Sequence, residues 1–308
     1  MPGELTAGPG LDVQRIFYCG VADEAAPGIA DQIDVTLELG WRAVELRTVD
    51  GLGVDQLSGP EFARAAARIA EAGLAVPVVA SRIGGWSRPV DCDFAAELAE
   101  LAVLAERCAV LGTRFVRIMS YPNDGRPDDG WEREVVRRIG ALADRAADAG
   151  LVLLHENCSG WAGRDATRAL RLVAAVREDA FGLLFDTGNG AAHGYRSYPM
   201  LRELAGHVRH VHVKDAVGGP AAPEYRLPGE GEAQVTEVLR LLAEGGYRGG
   251  WSIEPHLAVR PHEGHRDGPA ECRAAFLASG RALRALAERV ASGSGWRSGP
   301  AGLERVPC

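Results

Sequence analysis

The stretch LLHENCSGW, residues 153–161, passes from purely apolar to chemically active within two positions. Its form repeats downstream as LLFDTGN (183–189), VRHVHVKD (208–215) and WSIEP (251–255). Each is a short apolar run ending in a carboxylate or an imidazole. Runs of this length that are apolar on both faces read as buried parallel strands, which need helices packed on either side.

Working outward, the same unit recurs along the chain. Strands are expected at Ile16–Val21, Ala43–Leu46, Ala75–Ala80, Phe115–Met119, Val152–Glu156, Gly182–Asp186, Val208–Val213 and Trp251–Glu254. Amphipathic stretches rich in Ala, Leu and Arg lie between them, at 28–39, 60–72, 93–110, 131–149, 164–177, 198–205, 234–244 and 270–289. Gly40, Gly73, Gly112 and Gly150 follow four of these as left-handed caps. Eight strand–helix units predict an α/β fold made of a single (β/α)8 TIM barrel. No glycine-rich phosphate fingerprint follows the first strand, which argues against a doubly wound sheet. The expected organisation is a flexible N-terminal segment at 1–14, the barrel at 15–290 and a flexible Gly/Ser-rich tail at 291–308.

Composition narrows the function classes. Of the 308 residues, 46% are hydrophobic and 25% charged, with a formal net charge of −8. That sign disfavours nucleic-acid and acidic-membrane partners. The six cysteines at 19, 92, 108, 158, 272 and 308 contain no CxxC pair. They read as reduced thiols of a cytoplasmic protein rather than a disulfide or zinc framework. No signal peptide and no apolar run near the ~20 residues of a membrane span is evident.

Strand parity then selects the side chains that converge. With Trp251, Ile253, Phe181, Leu183, Phe185, Val211, Val213 and Leu153 turned toward helices, Glu156, Asp186, His212 and Glu254 turn toward the barrel axis. A single acid at a strand end more often caps a helix or pairs with a base. Four metal-capable residues in four successive units make coincidence a poor explanation. Three carboxylates and one imidazole suit one divalent ion, Mn2+ first among Mg2+, Co2+ and Zn2+, and are too oxygen-rich for structural zinc.

The combination Glu156-Asn157, Asp186-Thr-Gly-Asn189, His212-Val-Lys-Asp215 and Glu254, with PGEG (228–231) and GGYRGGWSIE (245–254), resembles the sugar isomerase/epimerase family of xylose-isomerase-like TIM barrels. The likeness spans roughly residues 15 to 288. It implies that Glu156, Asp186, His212 and Glu254 are the metal ligands. It implies also that Glu156 and Glu254 act as the catalytic acid–base pair of a metal-dependent isomerase or epimerase working on a ketose, sugar phosphate or related polyol ketone through an enediolate. Alternatives on the same barrel are a lyase of the keto-inositol or dehydroshikimate dehydratase type and a C-glycoside-cleaving enzyme. An apurinic-site endonuclease fits less well, because the first histidine in the chain is His155. A non-catalytic binding protein is the remaining reading.

Asn189 stands where many of the family's ketose epimerases carry His. Substrate-binding candidates are Asn189, Lys214, Asp215, Glu45, Arg117 and Trp86. For Lys214 and Asp215 mutual pairing competes with that role, as a buried Glu45–Arg117 pair does for those two. His193 and His256 read as exposed loop residues, and His155 as packed outside the barrel wall. Arg226 and Arg260 are candidate anion anchors. The expected partner is a small carbohydrate-like molecule, and the resemblance implies dimers or tetramers.

Overall fold

The computed structural model describes residues 15–306. The flexible segment expected at 1–14 lies outside the described residues. Of seven parallel strands, Val78–Ala80, Phe115–Ser120, Val152–Gly160, Phe181–Asp186, Val208–Val213 and Gly249–Ile253 pair in sequence order, and Ile16–Gly20 pairs with the last of them. The eighth position is held by residues 43–46, which make only isolated bridges: Val21 with Glu45, Ala43 with Ala75 and Leu46 with Val79. Through these bridges the 43–46 segment joins the first strand to the third position of the ring. The helices fall where the periodicity put them, from Ile29–Glu38 to Pro269–Ala291. Gly40, Gly73, Gly112 and Gly150 all take positive φ.

Two separate apolar layers follow from strand alternation. Leu153, Phe181, Leu183, Phe185, Val211, Val213, Trp251 and Ile253 join the large cluster between strands and helices. Val78, Val152, Leu154 and Leu184 form a small cluster of their own, with Phe115 packed against it. It plugs the ring interior from residues that face the axis. Arg117 and His210 stand inward at the level of Leu154 and Leu184, and the other polar side chains of that face follow toward the strands' C-terminal ends.

The C-terminal segment corrects the expectation of a flexible tail. Trp296–Gly299 and Gly302–Arg305 form an antiparallel hairpin, and Leu303 and Gly302 pair with Ile16 and Phe17. Trp296 and Leu303 are buried in the main cluster. Gly302, at φ +155, lets the hairpin lie against the first strand: a Cβ there would stand 2.1 Å from the Ile16 carbonyl oxygen. The Gly/Ser content signals the turn, and the apolar residues on either side do the anchoring. No helix among the described residues is long and apolar enough to cross a membrane.

Candidate metal centre

Register places the four inward residues at staggered heights. Asp186 pairs with His212, and His212 with Ser252, so Glu254 lies one inward step above that level. Glu156 pairs with Leu184 one step below Asp186. Strand tilt closes the gap. Glu156, Asp186, His212 and Glu254 are all buried and present ligand atoms that lie within 4.8 Å of one another.

Each of the four has one atom turned to the centre and another tied back. His212 Nε2 lies 2.8 Å from Glu45 Oε1. Its Nδ1 faces Glu254 Oε2 at 3.4 Å, Glu156 Oε1 at 3.8 Å and Asp186 Oδ2 at 4.0 Å, without a hydrogen-bond partner. Asp186 Oδ1 accepts the backbone N–H groups of Gly188 (2.8 Å) and Asn189 (2.7 Å), while its Oδ2 lies 2.9 Å from Lys214 Nζ. Glu254 Oε1 accepts Arg47 Nη1 at 2.8 Å. Glu156 Oε2 lies 3.3 Å from Arg117 Nε, and Asn189 Nδ2 donates to its Oε1 at 3.0 Å.

Orphaned buried polar atoms carry a desolvation cost that a ligand would relieve. Here His212 Nδ1 is such an atom; it faces a hard oxygen set, and the second ring nitrogen is held by a carboxylate, the usual support for a metal-bound histidine. The residues present fit a divalent cation. Electrostatics points the same way. Burial alone would raise the Glu156 carboxyl, but Arg117 and His212 outweigh it and hold it down at about 2. Burial likewise works against ionised Glu254, and Lys214, His256 and His212 overcome it.

Lys214 stands inside this cluster. Its Nζ donates to Glu254 Oε2 at 2.9 Å and is 2.9 Å from Asp186 Oδ2. Burial disfavours its charge, but the two carboxylates keep it protonated. The sequence left open a Lys214–Asp215 pair, and the structure shows none. Asp215 instead accepts four backbone N–H groups, from Ala216 (2.9 Å) and Ala233 (3.1 Å) on Oδ1 and from Gly229 (2.8 Å) and Gly231 (3.0 Å) on Oδ2. It organises the loop before the helix Val235–Glu244.

The Glu45–Arg117 pair does not form either. Fully buried Glu45 receives His210 Nε2 and His212 Nε2, both at 2.8 Å. Burial would raise its carboxyl, and the two imidazoles bring it below the usual range. Arg117 Nη1 donates to the Ser81 carbonyl at 3.0 Å. Both side chains therefore hold other site residues. Trp86 is 52% exposed, whereas Trp161 is buried. Arg226 pairs with Glu224 and Arg260 with Glu263, which engages both candidate anion anchors. Asn157, outside the ring by parity, brackets Asp186: its Nδ2 donates to the Asp186 carbonyl at 2.8 Å and its Oδ1 accepts the Asp186 N–H at 2.6 Å. His155 stacks on Phe181 outside the wall.

Sequence reading missed Asp23, Glu24 and Arg47 and placed His256 wrongly in solvent. His256 is 6% exposed, with its backbone N–H on Glu24 Oε2 at 2.8 Å and its Nδ1 3.0 Å from Glu24 Oε1. The signal was present. Asp23, Glu24 and Arg47 directly follow the first two strand positions, where barrel chemistry gathers.

An α/β ring with its polar cluster at the strands' C-terminal ends defines the TIM-barrel class. Within that class the chain belongs to the xylose isomerase-like TIM barrel family, whose model matches residues 33–278. Among curated relatives, the inosose dehydratase of Clostridium botulinum (strain Alaska E43 / Type E3) is 25% identical over 131 residues, covering 38% of this chain and 44% of the relative. The rhizopine catabolism protein MocC of Rhizobium meliloti is 29% identical over 198 residues, covering 55% of this chain and 59% of the relative. The chain thus spans about half the length of these curated relatives. A D-allulose 3-epimerase from Methylomonas sp., solved with D-allulose, superposes with a TM-score of 0.70 at 17% identity, covering 92% of this chain and 99% of that one. Dehydratases and an epimerase thus stand among the relatives and neighbours.

Proposed function

We propose that the protein is a divalent-metal-dependent lyase that removes water from a polyhydroxy ketone of the keto-inositol kind. The observation that carries the reading is the lysine inside the cluster of Glu156, Asp186, His212 and Glu254: Lys214 Nζ lies 2.9 Å from Glu254 Oε2 and from Asp186 Oδ2. Glu156, Asp186, His212 and Glu254 would hold the ion. Once bound, the ion would polarise a ketone carbonyl and make the neighbouring C–H acidic.

The chain's own groups then divide the work. Glu156 and Glu254 are the carboxylates positioned to take the proton from the carbon beside the carbonyl. Lys214 donates a proton to the hydroxyl that departs from the next carbon. One C–H and one C–O bond break, a C=C bond forms, and water leaves. Expelling a hydroxyl needs a proton donor, and the ammonium supplies one. The partial similarity to inosose dehydratase supports this choice of substrate class.

Epimerisation of a ketose is the second reading. What favours it is that Glu156 and Glu254 come from strands on either side of the two that carry Asp186 and His212, so two carboxylates flank the centre and serve opposite faces of one carbon. Incubation of Mn2+-loaded protein with a keto-inositol and with free ketoses in D2O separates the two. The lyase reading expects a product lighter by one water from the keto-inositol. Deuterium at a carbon that keeps its hydroxyl, with no loss of water, supports the epimerase instead. Neither product from any polyhydroxy ketone overturns both.

A further inference from the structure

Beyond the four ligands lies a continuous ionic chain that ends on Glu254. Arg47 grips Asp23 with two parallel bonds, Nε to Oδ2 at 3.0 Å and Nη2 to Oδ1 at 2.7 Å. The same guanidinium reaches Glu24 Oε1 at 3.5 Å and donates through Nη1 to Glu254 Oε1 at 2.8 Å. Its side chain is 13% exposed, and those of both acids 3%. A planar five-donor fork can satisfy three carboxylates at once, which a lysine cannot.

Asp23 and Glu24 are in turn the anchors of the loop that follows the last barrel strand. At its start, Glu24 holds both the backbone N–H and the ring of His256. His256 has φ +55, a left-handed conformation that a non-glycine residue keeps only when its surroundings over-determine it. At its far end, Arg266 Nη2 donates to the Asp23 carbonyl at 2.8 Å. Between these anchors the loop forms the small hairpin Val259–Arg260 with His265–Arg266. His262 stacks on His256 at 5.4 Å, and Tyr225 from the neighbouring hairpin meets His256 at 5.2 Å.

We propose that Arg47 is a positioning residue that couples the seating of the 256–266 loop to the orientation of Glu254. By holding Oε1, it leaves Oε2 as the single oxygen Glu254 turns to the centre. By bridging Asp23 and Glu24, it makes that orientation depend on the loop being docked. This inference rests on the reading of Glu254 as a ligand, but its loop half does not.

The test uses Mn2+ as probe and two variants. Mn2+ affinity is read by calorimetry, and amide hydrogen exchange over 256–266 is read in metal-free protein. Arg47→Met should weaken Mn2+ binding by about 10–100-fold, the usual cost of losing a partner behind a metal ligand. It should also speed exchange across 256–266, and Arg47→Lys should restore only part of either. Arg266→Met removes a side chain that touches none of the four ligands, yet should weaken Mn2+ binding by about two- to thirty-fold through the loop.

Wild-type Mn2+ affinity in Arg47→Met, or unchanged exchange in its 256–266 segment, overturns the proposal. So does an Arg266→Met affinity equal to wild type. A wild type that takes up no divalent ion overturns the ligand reading together with the Glu254 half. The exchange measurement then decides the loop half by itself.

Discussion

Replacing Glu45 by glutamine changes one atom at a fully buried position that two histidines share. In the wild type each Glu45 oxygen meets one imidazole Nε2 at 2.8 Å. Glutamine keeps one acceptor and turns an NH2 group toward the other ring. Two donors then face each other unless that ring moves its proton to Nδ1. If the ring is His212, the proton lands on the nitrogen that faces Glu156, Asp186 and Glu254. A charge-assisted hydrogen bond contributes about 1.5–3 kcal/mol against about 0.5–1.5 for a neutral one, so the lost charge costs roughly 1–2 kcal/mol per imidazole. Expressed in metal affinity through His212, that is about 5–30-fold weaker binding. Calorimetric titration of Mn2+ into wild type and Glu45→Gln reads the difference directly, with far-UV circular dichroism confirming an unchanged fold. Equal affinities in two equally folded proteins would refute the argument that Glu45 sets the His212 tautomer.

Further outcomes are specific to other parts of the molecule. His155 is buried, and burial lowers its pKa to about 4, below the unfolded value near 6.5. Between those values the unfolded chain binds the extra proton, so stability is full above about pH 6.5 and falls toward pH 4 by up to roughly 3 kcal/mol. Melting curves across that window should be flatter for His155→Leu than for wild type. Asp215→Ala leaves four backbone N–H groups without their acceptor and should cost about 2–4 kcal/mol, with faster proteolysis between residues 216 and 233. Gly188→Ala would set a Cβ 2.7 Å from Lys214 Cγ. The same Cβ meets the Lys214 backbone carbonyl carbon at 2.9 Å, so the change should cost about 1–3 kcal/mol of stability and, by misplacing Lys214, lower kcat by about tenfold or more.

The part of this structure legible in the sequence is the part governed by local periodicity. A two-residue period on four strands was enough to turn Glu156, Asp186, His212 and Glu254 inward, and the structure brings those four together. The glycines after four helices stopped them where expected. What periodicity could not convey was ring closure. Arg47 meets Glu254 only because the ring closes with the first and last strands paired, so Asp23, Glu24 and Arg47 read as ordinary loop charges in the sequence. The same closure buries His256 and lets Glu45 reach His210 and His212 across the interior instead of pairing with Arg117. Over residues 296–305 composition misled, since glycine and serine content does not reveal that Trp296 and Leu303 have a strand to dock against.

The most direct test of the account is the metal content of the protein after loading with Mn2+ and exhaustive desalting, measured beside Asp186→Asn and Glu254→Gln. A single divalent ion per wild-type chain is expected, with a marked loss in both variants while the fold stays intact. A wild type that retains no ion, or variants that retain as much as the wild type, would contradict it.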